Sequence, residues 1–115
     1  MRRIELGIRS SLAWIDRHPY HNELIRAASS DDRFRHHVRR AEEIALNDLS
    51  KHVKDAIVDR GLHDADPGMV AQAILGVVGR LAGTFLPDRG APVDAVADAA
   101  VAFCLGGLLA EQSVD

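Results

Sequence analysis

Aromatic residues make up only 4% of this 115-residue chain, and there is a single cysteine, Cys104. One thiol excludes an intrachain disulfide and a cysteine-rich metal site. Its place in an apolar run makes it a small core residue by default. With so few aromatics and so much Ala, Leu, Val and Ile, helices are favoured over a β-sandwich. No alternating strand pattern, internal repeat or low-complexity tract is present. Charge of one sign is also missing: 17 acidic residues face 14 basic ones, for a net charge of −3. That balance gives no electrostatic footprint for nucleic acid, and Arg2 and Arg3 are too few to change it. Met1-Arg2-Arg3 is followed by Glu5 and Arg9 rather than an apolar run, so a signal peptide is not expected. The apolar stretch 99–110 is shorter than the ~20 residues that span a bilayer. The expectation is a cytoplasmic protein with no membrane partner. The length suits one domain, 1–115, and 47% apolar residues suffice for a core.

What is present is helical periodicity. The spacing of Ile4, Ile8, Leu12 and Ile15 predicts a helix over 3–17, flanked by Trp14. His18 precedes Pro19, which ends that helix and can open a short one over 19–28. A long helix follows. Ser29 or Ser30 can cap it, Asp31 and Asp32 meet the positive end of its dipole, and Gly61 can terminate it. Its stripe is Phe34, Val38, Ala41, Ala45, Leu49 and Ala56, and its other faces are charged. Arg39–Glu43 and Lys51–Asp55 have the i,i+4 spacing of helical ion pairs. Asp66-Pro67 reads as a cap and first-turn proline for a helix over 66–86. Pro87-Asp88-Arg89-Gly90 reads as a turn. Pro92 opens a last helix over 93–110, with Asp94 and Asp98 near its positive end. The fold class expected is all-α, with about five helices.

The last two helices are apolar almost all the way round. Past its first turn, 66–86 has only Gln72, Arg80 and Thr84 as polar side chains. A surface helix of a monomer keeps a polar face, and one without it must be covered on both sides. Gln72, Gly76, Gly79 and Gly83 fall in one narrow arc, and Ala95, Ala99, Ala102, Gly106 and Ala110 form a matching arc on the last helix. Glycine inside a helix costs about 1 kcal/mol against alanine, so a glycine ridge implies close packing. Ile74, Val78, Leu81 and Phe85 lie opposite, where an intrachain core wants them. The ridges suit an antiparallel helix pair that meets a second copy, with Gln72, Gly76, Gly79, Gly83, Ala99, Ala102 and Gly106 at the seam. The plainer alternative is that they let these two helices approach each other within one subunit.

The order of elements resembles the C-terminal ligand-binding and dimerisation domain of TetR-family transcriptional regulators. The segments that carry the likeness are DRGLHDADPGMVAQAILGVVGRLAGTFL (59–86) and APVDAVADAAVAFCLGGLLAE (91–111), together with the proline-led piece around His18-Pro19 to Arg26. The resemblance implies a homodimer in which the last two helices of each subunit form a four-helix bundle. The family's N-terminal helix-turn-helix unit has no counterpart here. The chain is then expected to be an excised domain, a truncated product or a headless relative, and not to bind DNA alone.

Six histidines occur: His18, His21, His36, His37, His52 and His63. His37, Asp48 and His52 fall in or beside the inward stripe of the long helix, and Asp48 and His52 are i,i+4. They make either a polar patch in a ligand cavity or a satisfied ion pair. No four-ligand zinc spacing exists, so no metal is expected. Ser10 and Ser11 lack a nucleophile elbow, and the helical glycines are no phosphate loop. Neither an enzyme nor a cofactor is expected. A mainly apolar pocket for a small apolar or amphipathic effector is the better fit. Its candidate residues are Trp14, His18, Phe34, His37, Asp48, Met69 and Arg80. Trp14 and Phe34 could equally be plain core, Met69 padding, and Arg80 a seam residue. The leading expectation is a ligand-sensing dimerisation domain of a repressor. The alternative is a headless interaction module that heterodimerises with full-length regulators.

Overall fold

A computed structural model describes residues 1–20, 27, 30–60, 65–86 and 90–109. Among these the chain is all-α, with four helices: α1 (Arg2–Arg17), α2 (Asp32–Arg60), α3 (Pro67–Phe85) and α4 (Val93–Leu109). The short helix expected over 19–28 falls largely outside the described residues. So do the helix stop at Gly61, most of the turn at 87–90, Ala110, His21 and His63.

Local chemistry explains the helix ends. The Asp66 carboxylate accepts a hydrogen bond from the Gly68 amide at 3.2 Å, with Pro67 in the first turn, so α3 begins where a cap and a proline coincide. α2 is capped one residue later than the serines suggest. The Asp31 carboxylate accepts from the Arg33 amide at 2.9 Å, because Asp is as good a cap as Ser and already abuts the first helical residue. Between α3 and α4 the Ala91 amide donates to the Phe85 carbonyl at 3.1 Å. Gly90 supports this return with φ of 60°, a left-handed conformation that glycine adopts freely.

The core is aliphatic. Ile4, Ile8 and Leu12 of α1 pack with Val53 and Ala56 of α2, Ile74, Val78 and Ala82 of α3, and Val96, Ala100, Cys104 and Leu108 of α4. α1 and α3 each touch the other three helices, whereas α2 and α4 touch each other least. Residues from the start of α3 and the end of α4 line one groove, so these two helices run antiparallel. An ion pair also ties α1 to α4, with Arg9 2.9 Å from Asp98; Arg9 lies 3.1 Å from Glu5 as well. The hydrogen bond to Asp98, then that to Glu5, raise the Arg9 pKa. Among the described residues the other ion pair is Arg35–Asp32. The Arg39–Glu43 and Lys51–Asp55 pairs expected from spacing are not formed. Exposed ion pairs gain little over hydration, so spacing alone does not bring such side chains together.

Candidate functional site

α1 and α2 diverge across the side of α3 and leave an open cleft of about 780 Å³. From α1 it is lined by Ser10, Ser11, Trp14 and Ile15. α2 contributes Phe34, His37, Val38, Ala41, Glu42 and Ala45, and α3 supplies Leu75, Val78 and Gly79. The stripe expected to be core on the long helix explains this shape. Its C-terminal part, Leu49 to Ala56, packs with the core, but Phe34, Ala41 and Ala45 are exposed. An apolar stripe that no described helix faces is a cleft wall. The volume falls in the range of roughly 300–1,000 Å³ usual for small-molecule sites.

A second cavity of about 240 Å³ adjoins the first and shares Ser11, Ala45, Leu75 and Val78 with it. Arg3, Asp48 and His52 also line this chamber. The His52 Nδ1 is shielded from solvent and has no hydrogen-bond partner among the described residues. An unsatisfied ring nitrogen of this kind costs about 1–3 kcal/mol.

Of the seven candidate ligand residues, the structure brings Trp14, Phe34 and His37 together around the large cleft. Asp48 lines the adjoining chamber instead. His37 and Asp48 are exposed rather than inward, because the cleft is open. His18 does not line the cleft. Its Nδ1–H donates to the Trp14 carbonyl at 2.8 Å, and its ring stacks on the Trp14 indole at 4.2 Å. His18 therefore closes the end of α1 and holds the tryptophan. Met69 is exposed at the start of α3, and Arg80 is exposed as well; neither lines the cleft. Sequence reasoning missed Ser10, Ser11 and Glu42, which sit on faces that read as solvated. A signal was available: Ser11 and Trp14 are i,i+3, as are Val38 and Ala41.

The small-residue arc of α3 and α4 points outward. Gln72, Gly76, Gly79, Ala99, Ala102 and Gly106 are exposed and Gly83 is half-buried. A Cβ added at Gly76, Gly79, Gly83 or Gly106 would meet nothing within 4 Å. The alternative that these ridges serve the approach of α3 to α4 inside one subunit is thereby overturned. The intrachain contact uses the bulkier opposite face, where Ile74 and Val78 are buried. Beside the arc, Phe103 is 71% exposed and borders a shallow groove of about 190 Å³ made by Val70, Val77, Gly107 and Leu108. Cys104 lies at its base, and burial pushes its thiol pKa up. Among the described residues one helix, Pro67–Phe85, is long and apolar enough to cross a membrane, and only 22% of its apolar window is buried within the chain. Gly79 belongs to both features: it lines the cleft and sits on the outward arc.

Among the described residues no three metal-ligating side chains come together. Comparison with protein-family models, curated proteins and solved structures finds no match to this chain.

Proposed function

We propose that this chain is a ligand-sensing and dimerisation domain of the kind that TetR-family transcriptional repressors carry. The observation that supports this reading is the double use of α3. One side lends Leu75, Val78 and Gly79 to an open apolar cleft. Another presents Gln72 and Gly76 on a face that the described helices leave exposed.

A second copy is the cover that fits this face. α3 and α4 have 19 and 17 residues. Side by side they offer a face about 28 Å long and about 18 Å wide, roughly 500 Å² in projection. With side-chain relief that approaches the ~600 Å² per partner that a specific interface needs at its lower limit. A bilayer would instead have to accept Arg80, five residues from the end of the helix, at a cost of up to about 2.5–3.5 kcal/mol. In a two-fold seam Arg80 and Gln72 can hydrogen-bond at the rim. Glycines on both helices allow the backbones to approach closely, which accounts for their cost of about 1 kcal/mol each in a helix.

In this reading an effector enters between α1 and α2 and touches α3, the helix that also builds the dimer. The test joins two measurements on the whole chain, sedimentation and Trp14 fluorescence with 1-decanol as probe. A dimer is expected, with a saturable change in Trp14 emission and a raised melting temperature. A folded monomer at high micromolar concentration that ignores decanol refutes the proposal. A dimer that ignores decanol leaves the interaction-module reading in its place.

A further inference from the structure

We infer that the cleft selects a cationic amphiphile: an apolar body carrying one amine or quaternary ammonium group. The inference rests on the ligand-sensing reading and adds the chemical class of the ligand. It starts from the charges around the cleft. Among the described residues lining it, Glu42 carries the one formal charge, beside the Ser10 and Ser11 hydroxyls and the His37 imidazole. No lysine or arginine is among them. Glu42 also makes no ion pair among the described residues, so its carboxylate is available to a ligand.

The remaining walls are apolar and aromatic. Trp14 and Phe34 come from the two diverging helices, and Ile15, Val38, Leu75 and Val78 lie among them. Aromatic faces attract cations through the ring quadrupole and also bury alkyl or aryl surface. A carboxylate on the wall of a mostly apolar, open cleft favours a cation there and opposes an anion. A carboxylic acid or phosphate ligand would find no lysine or arginine among the described residues lining the cleft; Arg3 lines only the adjoining chamber. The Trp14 ring is held for this role by its stack on His18 at 4.2 Å. The adjoining chamber opens past Ala45 and Leu75 and sets Ile8, Leu49 and Ile74 beside Arg3, Asp48 and His52, so a chain or ring system behind the charged head has room along its apolar side.

The probes are decyltrimethylammonium, 1-decanol and decanoate, all below self-association and at fixed ionic strength. They share a ten-carbon body and differ in the charge of the head. Trp14 is the one tryptophan, so its emission reports the cleft directly. Decyltrimethylammonium should bind on the order of tenfold more tightly than decanol, and decanoate more weakly than both. Glu42→Gln should bring the cation to within about twofold of decanol. Glu43→Gln, on the neighbouring residue outside the cleft, should leave the preference intact. That control separates a local carboxylate from the attraction of a chain with net charge −3. Circular dichroism checks that both variants keep their helix content. Equal binding of the three probes, tighter decanoate, or a preference that survives Glu42→Gln overturns the assignment and leaves the sensor reading standing. Silence of Trp14 towards all three overturns both.

Discussion

Gly106→Leu separates the stability of one subunit from the assembly of two. Gly106 is exposed in α4, and a Cβ there meets nothing within 4 Å. Within one chain a leucine therefore has open space. It also removes a glycine from a helix, worth about 0.5–1 kcal/mol in favour of the folded subunit. In a two-fold seam the same leucine stands on a close-packed ridge, and symmetry places it there twice. Overpacking costs about 1–3 kcal/mol per site. Two sites give roughly 2–6 kcal/mol against the dimer, a rise in Kd of about 30-fold to more than 10⁴-fold. The signature is opposite signs: equal or higher helix content and subunit stability, with assembly weakened or lost. Circular dichroism and sedimentation velocity over a micromolar concentration series read both. Gly7→Leu is the control, because Gly7 also opens to nothing within 4 Å but lies on α1, off the ridge. A Gly106→Leu chain that dimerises as tightly as the parent refutes the argument.

Leu12→Ala should destabilise the fold by about 2–5 kcal/mol, because Leu12 is fully buried at the meeting of α1 with the rest of the core. Urea denaturation checks this, and a loss under about 1 kcal/mol would contradict the core assignment. Cys104 should react slowly with a disulfide reagent and need a higher pH than a free thiol, since burial raises its pKa. By linkage, its contribution to stability is complete below the thiol's unfolded pKa and falls as pH rises above it. A stopped-flow pH profile that matches a free thiol would contradict this. The chain alone should not bind duplex DNA specifically, because its net charge of −3 provides no attraction for phosphates. A gel shift with nanomolar, sequence-dependent affinity would overturn that expectation.

The periodic parts of the fold were readable from the sequence. Ile4, Ile8 and Leu12 share one helical face and are buried, and Asp66-Pro67 marks the start of α3. The division of α3 into a bulky face and a small one also follows from spacing alone, with Ile74 and Val78 buried and Gly76 and Gly79 exposed. Periodicity says which face is apolar but not whether a neighbouring helix covers it. Phe34 and Ala41 therefore read as core although they wall a cleft that exists because α1 and α2 diverge. Long-range pairs were also out of reach. Arg9–Asp98 joins residues far apart in sequence, and His18 reads as a ligand group until its stack on Trp14 is seen. Glu42 was hidden by its polar neighbours, Glu43 above all, which made its whole face look solvated.

The central claim is that a second copy covers the outward arc of α3 and α4. An isotope-filtered NOESY on a mixture of labelled and unlabelled chain observes that contact directly. Intermolecular contacts are expected from the methyl groups of Ala99 and Ala102 and the ring of Phe103, together with the amides of Gly76 and Gly83. Intermolecular contacts confined to Trp14, Phe34 and the α1–α2 cleft, or none at all at millimolar concentration, would contradict it.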